Sequence, residues 1–314
     1  MRRAERHPGA LRFVTIGSVP RPRLIDIVAI AVCTLAWGTT WFAITFQLGR
    51  VDPVVSLVYR FALATLLLVV WCRFRGEPLR MTLAQHRAAA GVGLFTFAID
   101  YTYIYLAEAR ISSAVVAVTF ASFALVNLAV FRVVFRQRAP LRVWAAAGLG
   151  AVGVGVLSWS EIATAHLSAR ARAGLGMAFI AVAGAALGNV CARRGESAGA
   201  SVASLTTWSM GYGALLLSLF ALATARAWIV EPTFAYVASL AYLAIMGSVV
   251  AFLLYYGLAR RRGYATAAYI AALTPAVAML MSTLFEGKTW TALAISGLAL
   301  VLAGQWLLLR ARSA

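Results

Sequence analysis

Among residue types that could do chemistry, those in the stretch DYTYIYLAEAR, Asp100 to Arg110, stand in the least expected place. At the end of a long apolar run they supply two carboxylates, an arginine and three tyrosines. Asp100 and Arg60 are the charges set inside apolar runs, where a charge costs about 2.5–3.5 kcal/mol at the centre of a membrane helix and so needs a partner or a wet cavity. Arg60 lies seven residues from Pro53 and Asp100 eight from Glu108. At 1.5 Å per residue both then sit about 10–12 Å inward from the same membrane face. Asp100 can act as a contact for a substrate ammonium group or as a proton-coupling carboxylate. Alternatively, Arg60 and Asp100 form a structural ion pair that locks their two helices together. Glu108 and Arg110 fall at the boundary, where long charged side chains reach water, and are expected to be rim.

Helical spacing sorts the neighbours of these charges. Residues three or four apart share a face, so Tyr103 follows Asp100, whereas Tyr101 and Tyr105 share another face and read as lipid anchors at the membrane interface. The stretch WGTTW sets Trp37 and Trp41 one turn apart, with Thr40 on the side of Trp37. Asn189, within LGNVC, can hydrogen-bond a neighbouring helix for about 0.6 kcal/mol or reach a ligand. Pro275 leaves the carbonyl of Ala271 without its helical partner and is a candidate hinge. Gly184 with Gly188, and Gly148, Gly150, Gly153 and Gly155, read as sites of close helix packing.

These residues need helices in lipid to hold them. The 314 residues are 62% hydrophobic and 12% charged, with a mean hydropathy of +0.85, against about half apolar and roughly a quarter charged in soluble domains. A hydrocarbon core takes about 20 helical residues, and ten apolar runs of that size emerge: 24–48, 53–72, 86–107, 112–133, 141–159, 173–192, 200–225, 233–258, 264–285 and 289–309. The expected fold is an all-α membrane protein of ten transmembrane helices. Residues 1–23, basic and broken by Pro and Gly, read as a disordered cytoplasmic tail rather than a cleaved signal peptide.

Charge between the runs orients them. Loops on one side hold 21 Lys and Arg, those on the other hold 6, so both termini are expected in the cytoplasm. The net charge of +18 is spread through these short gaps, which argues against a nucleic-acid surface. YIYLAEAR at 103–110 matches YYGLARRR at 255–262, and GLGAVGVG at 148–155 matches GLALVLAG at 297–304, in four of eight positions each. Both matches fall at corresponding places in two sets of five runs, 24–159 and 173–309. Five is odd, so the second set is expected upside down, with a binding site where the sets meet.

At this point the chain resembles the drug/metabolite transporter superfamily, in particular its ten-helix EamA-type exporters. The residues that carry the resemblance are LAWGTTWFAI (Leu35 to Ile44), YRFALATLLL (Tyr59 to Leu68), ALTPAVAMLMSTLFEGKTW (Ala272 to Trp290) and GLALVLAGQWLLL (Gly297 to Leu309). The resemblance implies a five-plus-five inverted bundle and export of small organic solutes through a cavity lined chiefly by spans 1, 3, 4, 6, 8 and 9. Members of the family include amino-acid exporters, some favouring aromatic ones. Phe123 stands where the first set should match Pro275, and Gln137 where it should match Glu286. A proline bend in both halves is therefore not expected.

The residues then read as a transporter or facilitator moving small amphipathic metabolites, including aromatic amino acids, outward across a bacterial cytoplasmic membrane by alternating access. Trp37, Tyr103, Tyr255 and Tyr269 would stack an apolar or aromatic group; Thr40, Asn189 and Ser248 would hold its polar end. The alternatives are an exporter of cationic drugs, with Asp100 binding the cation, and a non-transporting assembly or sensor subunit. No phosphate loop, HExxH or supportable triad is present, so neither ATP hydrolysis nor other enzyme activity is expected. Cys33, Cys72 and Cys191 and the scattered His7, His86 and His166 lack metal-ligand spacing. The expected partners are a small-molecule substrate and the lipid bilayer, with no cofactor, metal or nucleic acid, in a monomer or weak dimer.

Overall fold

In hydrocarbon only a helix can satisfy its backbone polar groups within one segment, and the apolar runs fold accordingly. The computed structural model describes residues 23–111, 113–157, 159, 168–286 and 291–310. The N-terminal tail and Lys288 lie outside the described residues. Among those described, the regular structure is entirely helical. Among the described residues six helices are long and apolar enough to cross a membrane: α1 (Leu24–Thr45), α2 (Pro53–Arg75), α3 (Leu83–Glu108), and later α6 (Ala169–Ser197), α7 (Val202–Ala223) and α8 (Phe234–Arg262). Shorter apolar stretches fall in α4 (Ser113–Ala121 and Phe123–Phe135), α5 (Leu141–Leu157), α9 (Tyr264–Ala268 and Ile270–Glu286) and α10 (Ala292–Arg310). Large apolar side chains such as Leu66, Phe74, Phe179, Leu219 and Leu302 remain exposed on the outside, as a lipid-facing surface requires.

Local sequence sets the helix ends. Pro53 opens α2 and the Asp52 carboxylate accepts from the Val54 amide at 2.8 Å. At the other end Gly76 takes φ +67°, the left-handed cap that glycine adopts without strain. Thr82 and Gln85 close a reciprocal capping box at the start of α3. Gly263, at φ +85°, separates α8 from α9.

Contacts between helix ends show how the helices run. Asp26 at the start of α1 meets Arg261 at the end of α8, while Gln47, just past the end of α1, meets Tyr236 and Ser239 near the start of α8. These two helices are antiparallel. The same holds for α3 and α6, joined by Gln85 to the Ala198 carbonyl and by Arg170 to the Ala109 carbonyl. It holds too for α2 and α7, through Asp52 with Arg226 and Cys72 with Thr207. Helix α2 runs parallel to α8, since Ser56 meets Tyr236 and Arg60 meets Ser248, but antiparallel to α3, since Arg60 also meets Tyr105. It follows that α6, α7 and α8 are inverted relative to α1, α2 and α3.

The two halves share a further irregularity. Helix α3 widens into a π-helix over Gly93–Asp100, and α8 does so over Ile245–Val250. The register that aligns 103–110 with 255–262 pairs Gly93 with Ile245, the first residues of the two widened stretches. Such segments are rare, and frequent at functional sites.

Candidate functional site

The π-helical stretch of α8 is the natural place to build the site, because widening a helix shifts its backbone hydrogen bonds to i→i−5. Within it, the Ser248 hydroxyl reaches back to the Leu243 carbonyl at 3.0 Å, and the Trp37 indole of α1 donates to the Gly247 carbonyl at 3.1 Å. Gly247 is required there: a Cβ would stand 2.7 Å from the Thr40 methyl and 3.1 Å from the Arg60 guanidinium. Thr40 therefore packs against the widened turn, with its hydroxyl donating to the Trp37 carbonyl at 2.8 Å.

Trp37 is half-buried, with its ring centroid 5.3 Å from those of both Phe252 and Tyr255. The Tyr255 hydroxyl accepts from Asn189 Nδ2 at 2.8 Å, and the same amide donates to Asn127 Oδ1 at 2.9 Å. Asn127, Asn189 and Tyr255 are all buried. One polar and aromatic cluster thus draws on α1, α4, α6 and α8, that is, on both halves. It combines aromatic faces with amide and hydroxyl groups, the equipment for holding a small amphipathic molecule.

A second cluster surrounds Arg60, whose side chain is 1% exposed. Its Nε donates to Ser248 Oγ at 2.9 Å and one terminal nitrogen to the Tyr105 hydroxyl at 3.5 Å. The guanidinium lies 4.7 Å from the Tyr101 ring centroid, within the range of a cation–π contact. Among the described residues Arg60 and Asp100 form no ion pair within 4 Å, so the direct pair expected from the sequence is absent in this conformation. The aromatic faces and Ser248 take the place of the carboxylate.

Three other expectations need correction. Tyr101 and Tyr105 are 7% and 0% exposed and hold Arg60, so they are not lipid anchors. Glu108 is not simple rim: both carboxylate oxygens are buried and, among the described residues, without a hydrogen-bond partner. Tyr103 does not follow Asp100 into the seam but lines an outer crevice of about 380 Å³ with Leu94, Thr102, Leu216 and Phe220. The buried arc of α3 runs through Asp100, Tyr101, Ile104 and Tyr105, and Tyr103 lies on its far flank.

Tyr269 also lies elsewhere. Fully buried between α5 and α10, it donates to the Val301 carbonyl at 2.9 Å and occupies the space left open by Gly150 and Gly304. Pro275 lies inside α9, and the carbonyl it strands, on Ala271, accepts from the Thr274 hydroxyl at 3.0 Å. Gly38 of α1 meets Val277 and the Thr274 carbonyl there, so α9 around Pro275 is tightly packed against α1. Gly184 and Gly188 bring α6 onto the π-helical stretch of α3.

The structure therefore groups Trp37, Thr40, Asn189, Ser248 and Tyr255 along one seam, with buried Asp100 beside it, and separates Tyr103 and Tyr269 from them. Sequence reasoning missed Asn127 and read Tyr101, Tyr105 and Glu108 as interfacial. Asn127 was visible as an amide within an apolar run, the same signal that marked Asn189. Among the described residues no group of three or more His, Cys, Asp or Glu side chains could hold a metal.

Comparison with known proteins agrees with this architecture. The sequence profile of the EamA-like transporter family matches residues 24–159 and again 172–310. An uncharacterized transporter of Buchnera aphidicola subsp. Schizaphis graminum (strain Sg) is 25% identical over 100 residues, which cover 32% of this chain and 33% of that protein. The matched stretch thus spans about a third of the relative's length. A solved crystal structure superposes with a TM-score of 0.74 at 17% identity, over 91% of this chain and 96% of the other, a likeness of fold alone.

Proposed function

We propose, because the chain belongs to the EamA-like transporter family and is a membrane transporter, that it carries small amphipathic metabolites outward, amino acids including aromatic ones among them. In this reading ten helices span a bacterial cytoplasmic membrane with both termini inside, as two inverted repeats over 24–159 and 173–309. The protein works as a monomer or weak dimer. The halves rock about the seam, with Pro275 as one hinge.

The observation that carries the reading is the cluster of Trp37, Asn127, Asn189 and Tyr255, to which both halves contribute. Trp37 and Tyr255 offer faces for an aromatic side chain; the amides and the Gly247 carbonyl offer groups for a polar end. A site shared between inverted halves can be exposed to either side by relative movement of those halves.

The test is flux of labelled phenylalanine into liposomes containing only this chain, with unlabelled amino acids, nucleosides and quaternary amines as competitors. Saturable flux, competed best by aromatic amino acids and reduced about tenfold or more by Trp37→Ala, supports the reading. Competition by quaternary amines alone would instead favour a cationic-drug carrier. Absence of flux for every class would exclude transport by the isolated chain.

A further inference from the structure

We propose that Asp100, Glu108 and Arg60 form a site for one proton, and that the carrier exchanges this proton for its solute. The exchange rests on the transport reading above; the site itself does not.

The other carboxylates whose surroundings are described mostly have a cation: Asp26 has Arg261, Asp52 has Arg226, Glu196 has Arg193 and Glu231 has Arg50. Among the described residues, Asp100 and Glu108 have none within 4 Å. Oδ1 of Asp100 and both oxygens of Glu108 are buried without a hydrogen-bond donor from the protein. Arg60 is the cation whose charge acts on both, and it is committed to Ser248, Tyr105 and the Tyr101 ring.

The remaining titratable groups facing the pair are phenols. Tyr101 and, from α8, Tyr255 feel Asp100; Tyr105 feels Glu108; and Tyr236 of α8 stands next to Tyr105. From α6, Gly184 faces the Asp100 backbone and Cβ. Ordinary phenols carry no charge at neutral pH, so among the described residues Arg60 alone offsets the carboxylates.

Two ionised carboxylates against one guanidinium would leave a net negative charge inside an apolar bundle. A buried group in that position neutralises rather than remain charged, and both acids are set against the same guanidinium, which balances only one of them. One proton therefore belongs to the pair. It arrives from water on the side to which the seam opens, forming one O–H bond, and leaves to water on the other side when that bond breaks. A solute ammonium at Asp100 would supply the same positive charge, so solute and proton compete, and one exchanges for the other.

The site is tested by infrared spectroscopy of the full chain in lipid nanodiscs at pH 7. The wild type should show a protonated carboxyl band. Asp100→Asn and Glu108→Gln should each, alone, remove one carboxyl's worth of that band, because each leaves one carboxylate for one guanidinium. If the band is missing from the wild type, or survives undiminished in either variant, the shared proton is refuted; a permanently neutral acid would lose it in only one. Asp100→Ser replaces Asp100→Asn should the latter fail to fold.

Exchange is read separately, with a pH-sensitive dye inside liposomes across which a phenylalanine gradient is imposed. Proton movement opposite to phenylalanine, abolished by either variant, supports it. Phenylalanine flux without proton movement overturns exchange and leaves the transport reading intact. No flux, with the infrared result as expected, overturns the transport reading and leaves the site standing.

Discussion

The Arg60 guanidinium on α2 donates a 2.9 Å hydrogen bond to the Ser248 hydroxyl on α8, joining the first half of the molecule to the second inside the bundle. Ser248 in turn donates to the Leu243 carbonyl within the widened turn. A buried cation is thus tied to the irregular stretch of the facing half.

Ser248→Ala removes the acceptor of a buried charged donor. A hydrogen bond to a charged group contributes about 1.5–3 kcal/mol, so a lower melting temperature is expected in detergent, with Ser248→Thr closer to wild type. Equal melting of all three proteins would show that the bond contributes nothing.

Tyr255→Phe keeps the ring beside Trp37 but removes the hydroxyl that accepts from Asn189. The expected outcome is a raised KM for phenylalanine with folding retained. A double-mutant cycle of Asn189→Ala and Asn127→Ala should return a coupling of about 0.6 kcal/mol, the typical value for interhelical hydrogen bonds in membranes. Additive effects on stability would deny the coupling.

Gly150→Ala places a methyl group 2.6 Å from the Tyr269 hydroxyl. Overpacking of this kind costs about 1–3 kcal/mol. Tyr269→Phe in the same chain should recover part of the loss, measured as the monodisperse fraction after heating. If it recovers nothing, the clash lies elsewhere.

Asp26→Asn removes the carboxylate that meets Arg261 at 2.8 Å and Arg262 at 3.8 Å, where α1 and α8 close against each other. Cys33 lies two turns further along α1, buried against the Ala251 carbonyl. In a background lacking the other two cysteines, a membrane-permeant thiol reagent should label Cys33 about tenfold faster in the variant, which corresponds to about 1.4 kcal/mol. An unchanged rate would mean that the ion pairs do not hold this end shut.

How much of this was legible in the sequence depended on what decided each feature. Apolar length and the weak 103–110 repeat pointed to an all-helical bundle and to the inversion of α6–α8 relative to α1–α3, because backbone satisfaction in lipid leaves few alternatives. Asn189 could be singled out because a polar group in an apolar run must face something, and Tyr255 because the repeat pairs it with Tyr103. Tyr103 falls outside the seam, which the sequence did not reveal, because spacing of three or four residues specifies neighbours without saying which flank of Asp100 is turned inward. That choice depended on Arg60, a residue 40 positions earlier in the chain, whose guanidinium lies over the Tyr101 face. Tyr269 falls between α5 and α10 because its space is made by Gly150 and Gly304, two glycines that periodicity treats as ordinary packing residues.

The matched wide turns of α3 and α8 have a geometric consequence of their own. Each stores about one surplus residue, and an α-helix advances about 100° per residue. Passing that surplus along the rod would swivel everything on one side of it by more than a quarter of a revolution, while the rod's length scarcely altered. Asp100 and Ser248 sit within those two swivels, so a slight unwinding there can re-aim them without any hinge opening at the helix ends.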